Sequence, residues 1–508
     1  MRARKVSGFV LLITPILLIG PAPGRPFTVA PPLRAVAEEY SAHHDHILGT
    51  SLDLAITAEC ESAAFAAEDT VIAEIERLRL VFSLYDNSSE LSRLNRTREP
   101  VPASDDLLAV LRLYDHWHER SGGAFNGQLG DLVAHWKPAE KQNRLPDAAT
   151  LETLVREVGK PAWRIDSESR TVQRLTSQNL NLNAIAKGYV VQRAAEAGKR
   201  TGVRSILVNL GGDIRILGDT PTAIGIQDPI HPEDNAVPLA AVRLDNAAIA
   251  TSGGYQRFVT IEGRRHSHIL DPRTGRPAEG VASATVVAKD NATANALATT
   301  LCVLTPDEGL KLVATVPGAE CLVVAADGKR FASPGLKPFD VERAVALQEK
   351  KDEKKGDPWP ADYQVKLQVE LPTIENTKKY RRPYVAVWIE DADGKAVRTL
   401  GVWGNAPKYL KDLFDWWKIA KGDNTLIKAV TRATRGPGKY ELVWDGKDEK
   451  GNALPQGTYT VKVEVHREHG KHLVQTGKME CKATDAKATL EKNEETAATV
   501  VEYGKKKK

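Results

Sequence analysis

Cysteine is scarce and unpatterned. The chain has four cysteines in 508 residues, and Cys60, Cys302, Cys321 and Cys481 form no C-x-x-C pair. Thiolate metal clusters and thioredoxin-type redox chemistry therefore have nothing to build on. Export would permit a disulfide, yet Cys302 and Cys321 sit in apolar runs and are expected as buried free thiols. Aromatic residues make up 6% and the formal net charge is only +4. That balance, with no basic-aromatic stripe, argues against nucleic acid as the main partner. Long apolar runs are missing beyond the N-terminus, so no second membrane span is expected. There is no G-x-G-x-x-G. Gly211-Gly212 stands between two strand-like runs rather than inside a βαβ unit, which excludes a dinucleotide site of the Rossmann kind.

What is present is globular: 42% hydrophobic and 27% charged. The length exceeds what one core supports, so two or three domains are expected. Met1 to Lys5 is basic, and Val6 to Gly20 is a short apolar run interrupted by Pro15. This pattern reads as a secretory signal, with an uncleaved anchor left open by the poor cleavage site Pro21-Ala22-Pro23-Gly24. No cysteine follows directly, which argues against a lipid anchor.

The apolar periodicity predicts a strand over Ser51 to Ile56 and an amphipathic helix from Ala66 to Phe82. Ser89 and Ser104 are expected to cap the next two helices. Asn181 to Tyr189 reads as a loop entering a helix. Lys187 near that helix start faces the wrong end of the dipole, unless an anion shares the place. Ser205 to Leu210 and Ile214 to Leu217 read as strands around the double glycine. Ala247 to Ala250 is another, turning through Thr251 to Gly254 into a strand from Tyr255 to Ile261. Two chemical devices follow. In His268-Ile269-Leu270-Asp271-Pro272-Arg273-Thr274-Gly275, Asp271-Pro272 ends the apolar pair and Thr274-Gly275 makes a tight turn, so His268 stands beside a rigid corner. Asp290-Asn291 opens a helix on which Asn295 and Thr299, four apart, share one face. Oxygen side chains there, near a loop bearing His and Arg, suit a hard cation and a phosphate. Thr305 is expected to cap a helix through Ala314, and Cys321 to Ala325 reads as the last strand before a lysine-rich stretch, Phe339 to Asp357. From Pro358 the texture becomes alternating and turn-rich: Tyr363 to Leu371, Tyr384 to Ile389, an Asp391-to-Gly394 hairpin turn, Tyr440 to Gly446 and Gly457 to Val465. One helix is expected at Tyr409 to Lys418, and Lys505 to Lys508 is expected as a disordered tail.

Taken in order, these stretches resemble the ApbE family of FAD:protein FMN transferases. The pieces are Leu48-Gly49-Thr50, Ser89 to Asn95, Gly123-Ala124-Phe125-Asn126, Asn183 to Tyr189 and Asn209-Leu210-Gly211-Gly212-Asp213. Thr251-Ser252-Gly253, His268 to Gly275 and Ala294 to Thr299 complete the set. The resemblance implies an α+β fold, with an ApbE-type domain of mixed sheets and helices followed by a small all-β, Ig-like sandwich. The expected division is a signal or anchor over 1–24, a transferase domain over 40–336, a charged linker over 337–357 and the β-sandwich over 358–503. It implies transfer of FMN from FAD to a Thr or Ser hydroxyl of an acceptor protein, with release of AMP and assistance from Mg²⁺, outside the cytoplasm. By the same resemblance Leu48, Tyr85, Ala124, Phe125, Asn126, Asn181, Lys187 and Ile269 would line the FAD site. The Ala184 carbonyl, Asn295 and Thr299 would hold the metal, and His268 would help deprotonate the acceptor. The chain departs from the family pattern at Asn126, Asn181, Gln192 and Asn295, where Asp is usual. An exported flavin-binding protein of the same fold with little transferase activity is the alternative reading.

Overall fold

The strand that follows the Leu48-Gly49 turn sets the architecture. In Thr50–Ala58 alternate residues are buried: Leu52, Leu54, Ile56 and Ala58. That is the period of a strand with one covered face. It joins an eight-stranded sheet in the order Glu38–Ile47, Thr50–Ala58, Ser205–Leu210, Asp213–Leu217, Ala248–Gly253, Val281–Ala288, Glu320–Ala325, Arg330–Ala332. Every neighbouring pair is antiparallel. The structure is a computed structural model that describes residues 37–336 and 357–506, apart from 220, 234, 237, 256, 374–381, 405–406, 424–425, 428–429, 433 and 468–469. The signal segment, nearly all of the expected linker and the last two lysines lie outside the described residues.

Helices Glu61–Phe82, Asn183–Arg200 and Asn291–Val303 contribute to the core over this sheet. The first brings Val71, Ile75 and Leu78 to it. The last is buried nearly all round, through small residues such as Ala294, Ala296 and Ala298, as befits a helix inside rather than on a domain. The expected caps are present. Ser89, Ser104 and Asp290 accept from the backbone N–H three residues on, and Thr305 forms a capping box with Glu308. All four cysteines are free, and Cys302, Cys321 and Cys481 are buried. Burial pushes the Cys302 thiol up to about 12 and the Cys321 thiol to about 11.

A second core, with Trp359, Val365, Leu367, Trp444, Val463 and Tyr503, lies between a four-stranded and a five-stranded sheet. Both cores belong to one compact unit. Asn235 joins the halves by donating to Val443 O at 2.6 Å and accepting from Val443 N at 2.9 Å. His43 Nε2 lies 3.0 Å from Thr434 Oγ1.

Several expectations are corrected. The strand expected from Tyr255 begins at Phe258, because Gly253 and Gly254 pack against Ala282 O and Ser267 and hold the chain in a bend. Glu320–Ala325 is followed by one more edge strand, Arg330–Ala332. The single helix at Tyr409 to Lys418 is two short ones, Pro407–Leu410 and Phe414–Ala420. Lys505 is no tail residue. It ends Thr499–Lys505, which pairs with Tyr363–Leu371 on one side and Ala486–Leu490 on the other, and Lys506 N donates to Asp362 O at 2.8 Å.

Candidate active site

The site is built where two helices touch. Gly188 faces Asn291 and Asn295 so closely that a Cβ there would lie 2.6 Å from Asn291 O and 2.8 Å from Asn295 Cβ. Only glycine lets the Asn183–Arg200 and Asn291–Val303 helices approach this far. Asn291 is wholly buried, and its Nδ2 donates to Ile214 O at 2.8 Å and Ile249 O at 3.4 Å. It ties the helix to two neighbouring strands at their Ile214–Ile249 pair.

One turn before Gly188 comes Ala184, and one residue before it comes Lys187. The Lys187 ammonium lies 3.0 Å from Asp213 Oδ2 and donates to Gly211 O at 3.3 Å. The anion that the helix dipole called for is thus an internal carboxylate. Asp213 is 1% exposed and accepts from Asn295 Nδ2 at 2.7 Å. Burial pushes its carboxyl above the usual range, while Lys187 and Asn295 work against that rise. Gly211 and Gly212 turn the chain at φ +55° and +92°. A Cβ on Gly211 would collide with Thr50 Oγ1 at 2.4 Å. The double-glycine turn and the Leu48-Gly49 turn therefore lie side by side, with Gly211 N donating to Ser51 O at 3.0 Å.

Thr299 reaches the same end of the sheet, with its Oγ1 3.3 Å from Ser252 Oγ. Two residues beyond Ser252, Gly254 packs on Ser267, the neighbour of His268. The His268 corner rests on a small separate core with Leu132, Trp136, Leu151 and Leu270. Trp136 Nε1 donates to Gly275 O at 2.9 Å, and Gly275 N closes the turn on Asp271 O at 2.8 Å. Arg273 doubles back on Asp271 with two bonds of 2.9 Å. His268 Nδ1 lies 2.9 Å from Arg257 O. A carbonyl only accepts, so Nδ1 carries the proton and Nε2 keeps its lone pair. Although the residue is open to solvent on one side, its packed surroundings push the imidazole below its usual value. The bond to Arg257 O opposes this, and the Arg257 guanidinium adds to the lowering.

The other expected residues divide. Leu48 is 38% exposed and Tyr85 90%, which leaves apolar surface open to a flat ring. Ile269 is half-buried beside His268, with its N held by Ser267 Oγ at 3.0 Å. Ala124 and Phe125 are buried, and Phe125 stacks on Tyr114 at 4.9 Å. Asn126 donates to Val158 O at 3.1 Å and accepts from Gln128 N at 2.8 Å, so this stretch can present chiefly backbone to a ligand. Asn181 Oδ1 accepts from Asn183 N at 3.2 Å at the helix entry.

The family model described as the ApbE family matches residues 48–323. This chain belongs to the ApbE family. It is 31% identical over 325 residues to the FAD:protein FMN transferase of Treponema pallidum, covering 60% of this chain and 89% of that one. With the Vibrio cholerae enzyme of the same name it shares 29% over 317 residues, 59% of this chain and 94% of the other. Among solved structures, the ApbE protein of Thermotoga maritima matches with TM-score 0.53 and 28% identity, over 58% of this chain and 97% of its own. The apo flavinyl transferase ApbE of Pseudomonas stutzeri matches with TM-score 0.52 and 26% identity, over 59% and 95%. Residues 364–498 match a family described as a predicted periplasmic protein, DUF2271.

Within this ApbE fold the reading of the motifs missed Asp213, Asn291 and Ser252. Gly-Gly-Asp at a strand start was the available signal for the first: a carboxylate placed at the mouth of a tight turn. Asn291 carried none, because a buried asparagine that bridges strands is indistinguishable in sequence from a capping one.

Proposed function

We propose that the chain is an FAD:protein FMN transferase acting outside the cytoplasm. The observation that carries the reading is the convergence, at one end of the sheet, of Lys187, Asp213, Asn295, Thr299 and the two glycine-bearing turns, with the neutral His268 corner beside them. In the reaction an acceptor Thr or Ser oxygen bonds to the FMN phosphorus, and the pyrophosphate P–O bond to AMP breaks. AMP leaves with the bridging oxygen, and the hydroxyl proton goes to a base. His268 suits that base, because its Nε2 is unprotonated and its Nδ1–H is held. Lys187 offers a fixed positive charge to the phosphates, and Tyr85 and Leu48 offer apolar surface to the isoalloxazine.

The groups that the resemblance assigns to the metal all offer oxygens, the Asn295 amide, the Thr299 hydroxyl and the Ala184 carbonyl, and the Asp213 carboxylate accepts from Asn295 behind them. No group of three His, Cys, Asp or Glu stands together among the described residues. This chemistry fits a hard cation such as Mg²⁺. Bound there, it would offset the charge of the pyrophosphate. The reading also keeps the division of the chain at 337–357 and export through the N-terminal segment. The periplasmic description of the second matched family supports that location. No helix among the described residues is long and apolar enough to cross a membrane.

The decisive assay incubates the protein with FAD, Mg²⁺ and a flavin-accepting protein. Fluorescent acceptor bands that survive denaturation, with AMP in equal amount, are expected. FAD bound at equilibrium with no AMP released would leave a flavin-binding protein and refute the transferase.

A further inference from the structure

Asp213 takes two donors on one oxygen. Oδ2 lies 3.0 Å from Lys187 Nζ and accepts from Asn295 Nδ2 at 2.7 Å. Both residues of the second contact are buried, Asp213 at 1% and Asn295 at 6% exposed. The contact runs from the amide nitrogen, so the branch of the Asn295 amide turned toward Asp213 is the NH₂, donating to an oxygen that also faces the Lys187 ammonium. The carbonyl branch, Oδ1, is thereby left on the side away from Asp213. An asparagine without such a partner can turn its amide over, and would then offer a cation a donor group in place of an oxygen. Asn295 is also held from behind, since its Cβ lies against Gly188.

We propose that Asp213 is a positioning residue. It locks the Asn295 amide with its carbonyl oxygen outward as a cation ligand, and it supplies, one hydrogen bond further back, the negative charge that position 295 lacks. Lys187 is held by the same oxygen, so one carboxylate sets both the cation ligand and the phosphate-facing ammonium. The inference rests on the transferase reading of the metal position.

The arrangement predicts a reciprocal behaviour. In Asp213→Asn the anchor for the amide becomes ambiguous and the charge is gone. In Asn295→Asp two carboxylates meet where a hydrogen bond now stands, a repulsion that a divalent cation would relieve. In the double variant Asp213→Asn/Asn295→Asp the donor and acceptor are exchanged, and the hydrogen bond is restored with the charge now at position 295.

The four proteins are titrated with Mg²⁺ alone by calorimetry and melted in EDTA and in Mg²⁺. Metal affinity should fall roughly 10- to 100-fold in Asp213→Asn, the usual cost of losing a group that orients a ligand. It should return in the double variant. Asn295→Asp should melt below wild type in EDTA and gain more from Mg²⁺ than wild type does. Unchanged affinity in a folded Asp213→Asn protein, or a double variant that binds no better than Asp213→Asn, overturns the proposal. If Asp213→Asn does not fold, the Asn295→Asp melts decide: equality with wild type in both buffers overturns it. A wild type that binds no Mg²⁺ at all refutes the metal position itself, a failure distinct from these.

Discussion

Gly188→Ala tests whether the close contact of two helices is what holds the site together. The new methyl would start 2.6 Å from Asn291 O, 2.8 Å from Asn295 Cβ and 3.0 Å from Asn291 Oδ1. Ordinary contacts need ~3.5 Å, so the helices must part by roughly 0.8 Å. Asn291 cannot yield alone, because its amide is bonded to Ile214 O and Ile249 O and its N–H to Gln192 Oε1. Overpacking of this kind costs about 1–3 kcal/mol, and alanine returns about 1 kcal/mol in helix propensity. The net loss of stability is therefore small, about 0–2 kcal/mol. The effect on turnover is larger, because Asn295 moves relative to Lys187 and Ala184, and a displacement of about 1 Å in a reacting assembly costs on the order of 100-fold. Gly198→Ala on the same helix is the control. Its methyl would meet Ile206 Cδ1 at 2.6 Å and Val71 Cγ2 at 2.7 Å, two buried core side chains ten residues along the helix from Gly188. AMP release and thermal unfolding are measured for both. Gly188→Ala should lose activity out of proportion to its melt, and Gly198→Ala should change only the melt. Full activity in a folded Gly188→Ala protein would refute the claim that this contact positions the site.

The transfer rate should rise with pH through the His268 pKa, which burial lowers from the usual imidazole value, and then level off, since only the deprotonated ring is a base; His268→Gln should abolish that limb, and an unchanged profile would remove His268 from the chemistry. A protease site placed within 337–356 should give two fragments that stay together on gel filtration. Asn235→Ala, which deletes both bonds to Val443, should loosen them by about 2 kcal/mol, or roughly 30-fold in dissociation constant; fragments that separate at once in the unmutated protein count against a docked second half. Cell fractionation should find the chain outside the cytoplasm, and removal of Met1 to Gly24 should retain it inside.

Local signals carried well where chemistry is local. The Ser, Asp and Thr caps, the Asp271-to-Gly275 turn and the alternation of Tyr363–Leu371 depend on a few neighbouring residues, and each is present as expected. Elements whose stability comes from elsewhere were illegible. Glu38–Ile47 reads as polar, with His43, His44 and His46, and is a strand only because Thr50–Ala58 offers it an edge. Gly130–Gln142 opens on glycine and contains Pro138, and it is a helix because Leu132, Trp136 and Ala139 have a core to enter. Spacing did bring Asn295 and Thr299 to one face, but it could not show Asp213, which lies 82 residues from Asn295.

That carboxylate bears on the amides, Asn126, Asn181, Gln192 and Asn295, that stand where the resemblance led to an expectation of Asp. A carboxylate cannot donate, and three of the four amides do. Asn126 donates to Val158 O, Gln192 Nε2 donates to Glu196 Oε1 at 2.7 Å, and Asn295 donates to Asp213. At positions 192 and 295 the acceptor is itself a carboxylate, so an acid there would meet a like charge. Gln192 also accepts from Asn291 N at 3.2 Å, so its amide joins Glu196 to the start of the helix that carries Asn295 and Thr299. Asn181 is different: its side chain only accepts, from Asn183 N, which an acid would do equally, and nothing in the structure explains the amide there. At positions 192 and 295, then, a carboxylate stands one hydrogen bond away, Glu196 and Asp213. An amide that is held by an anion can still present an oxygen, and that is what a hard cation beside a pyrophosphate requires of it.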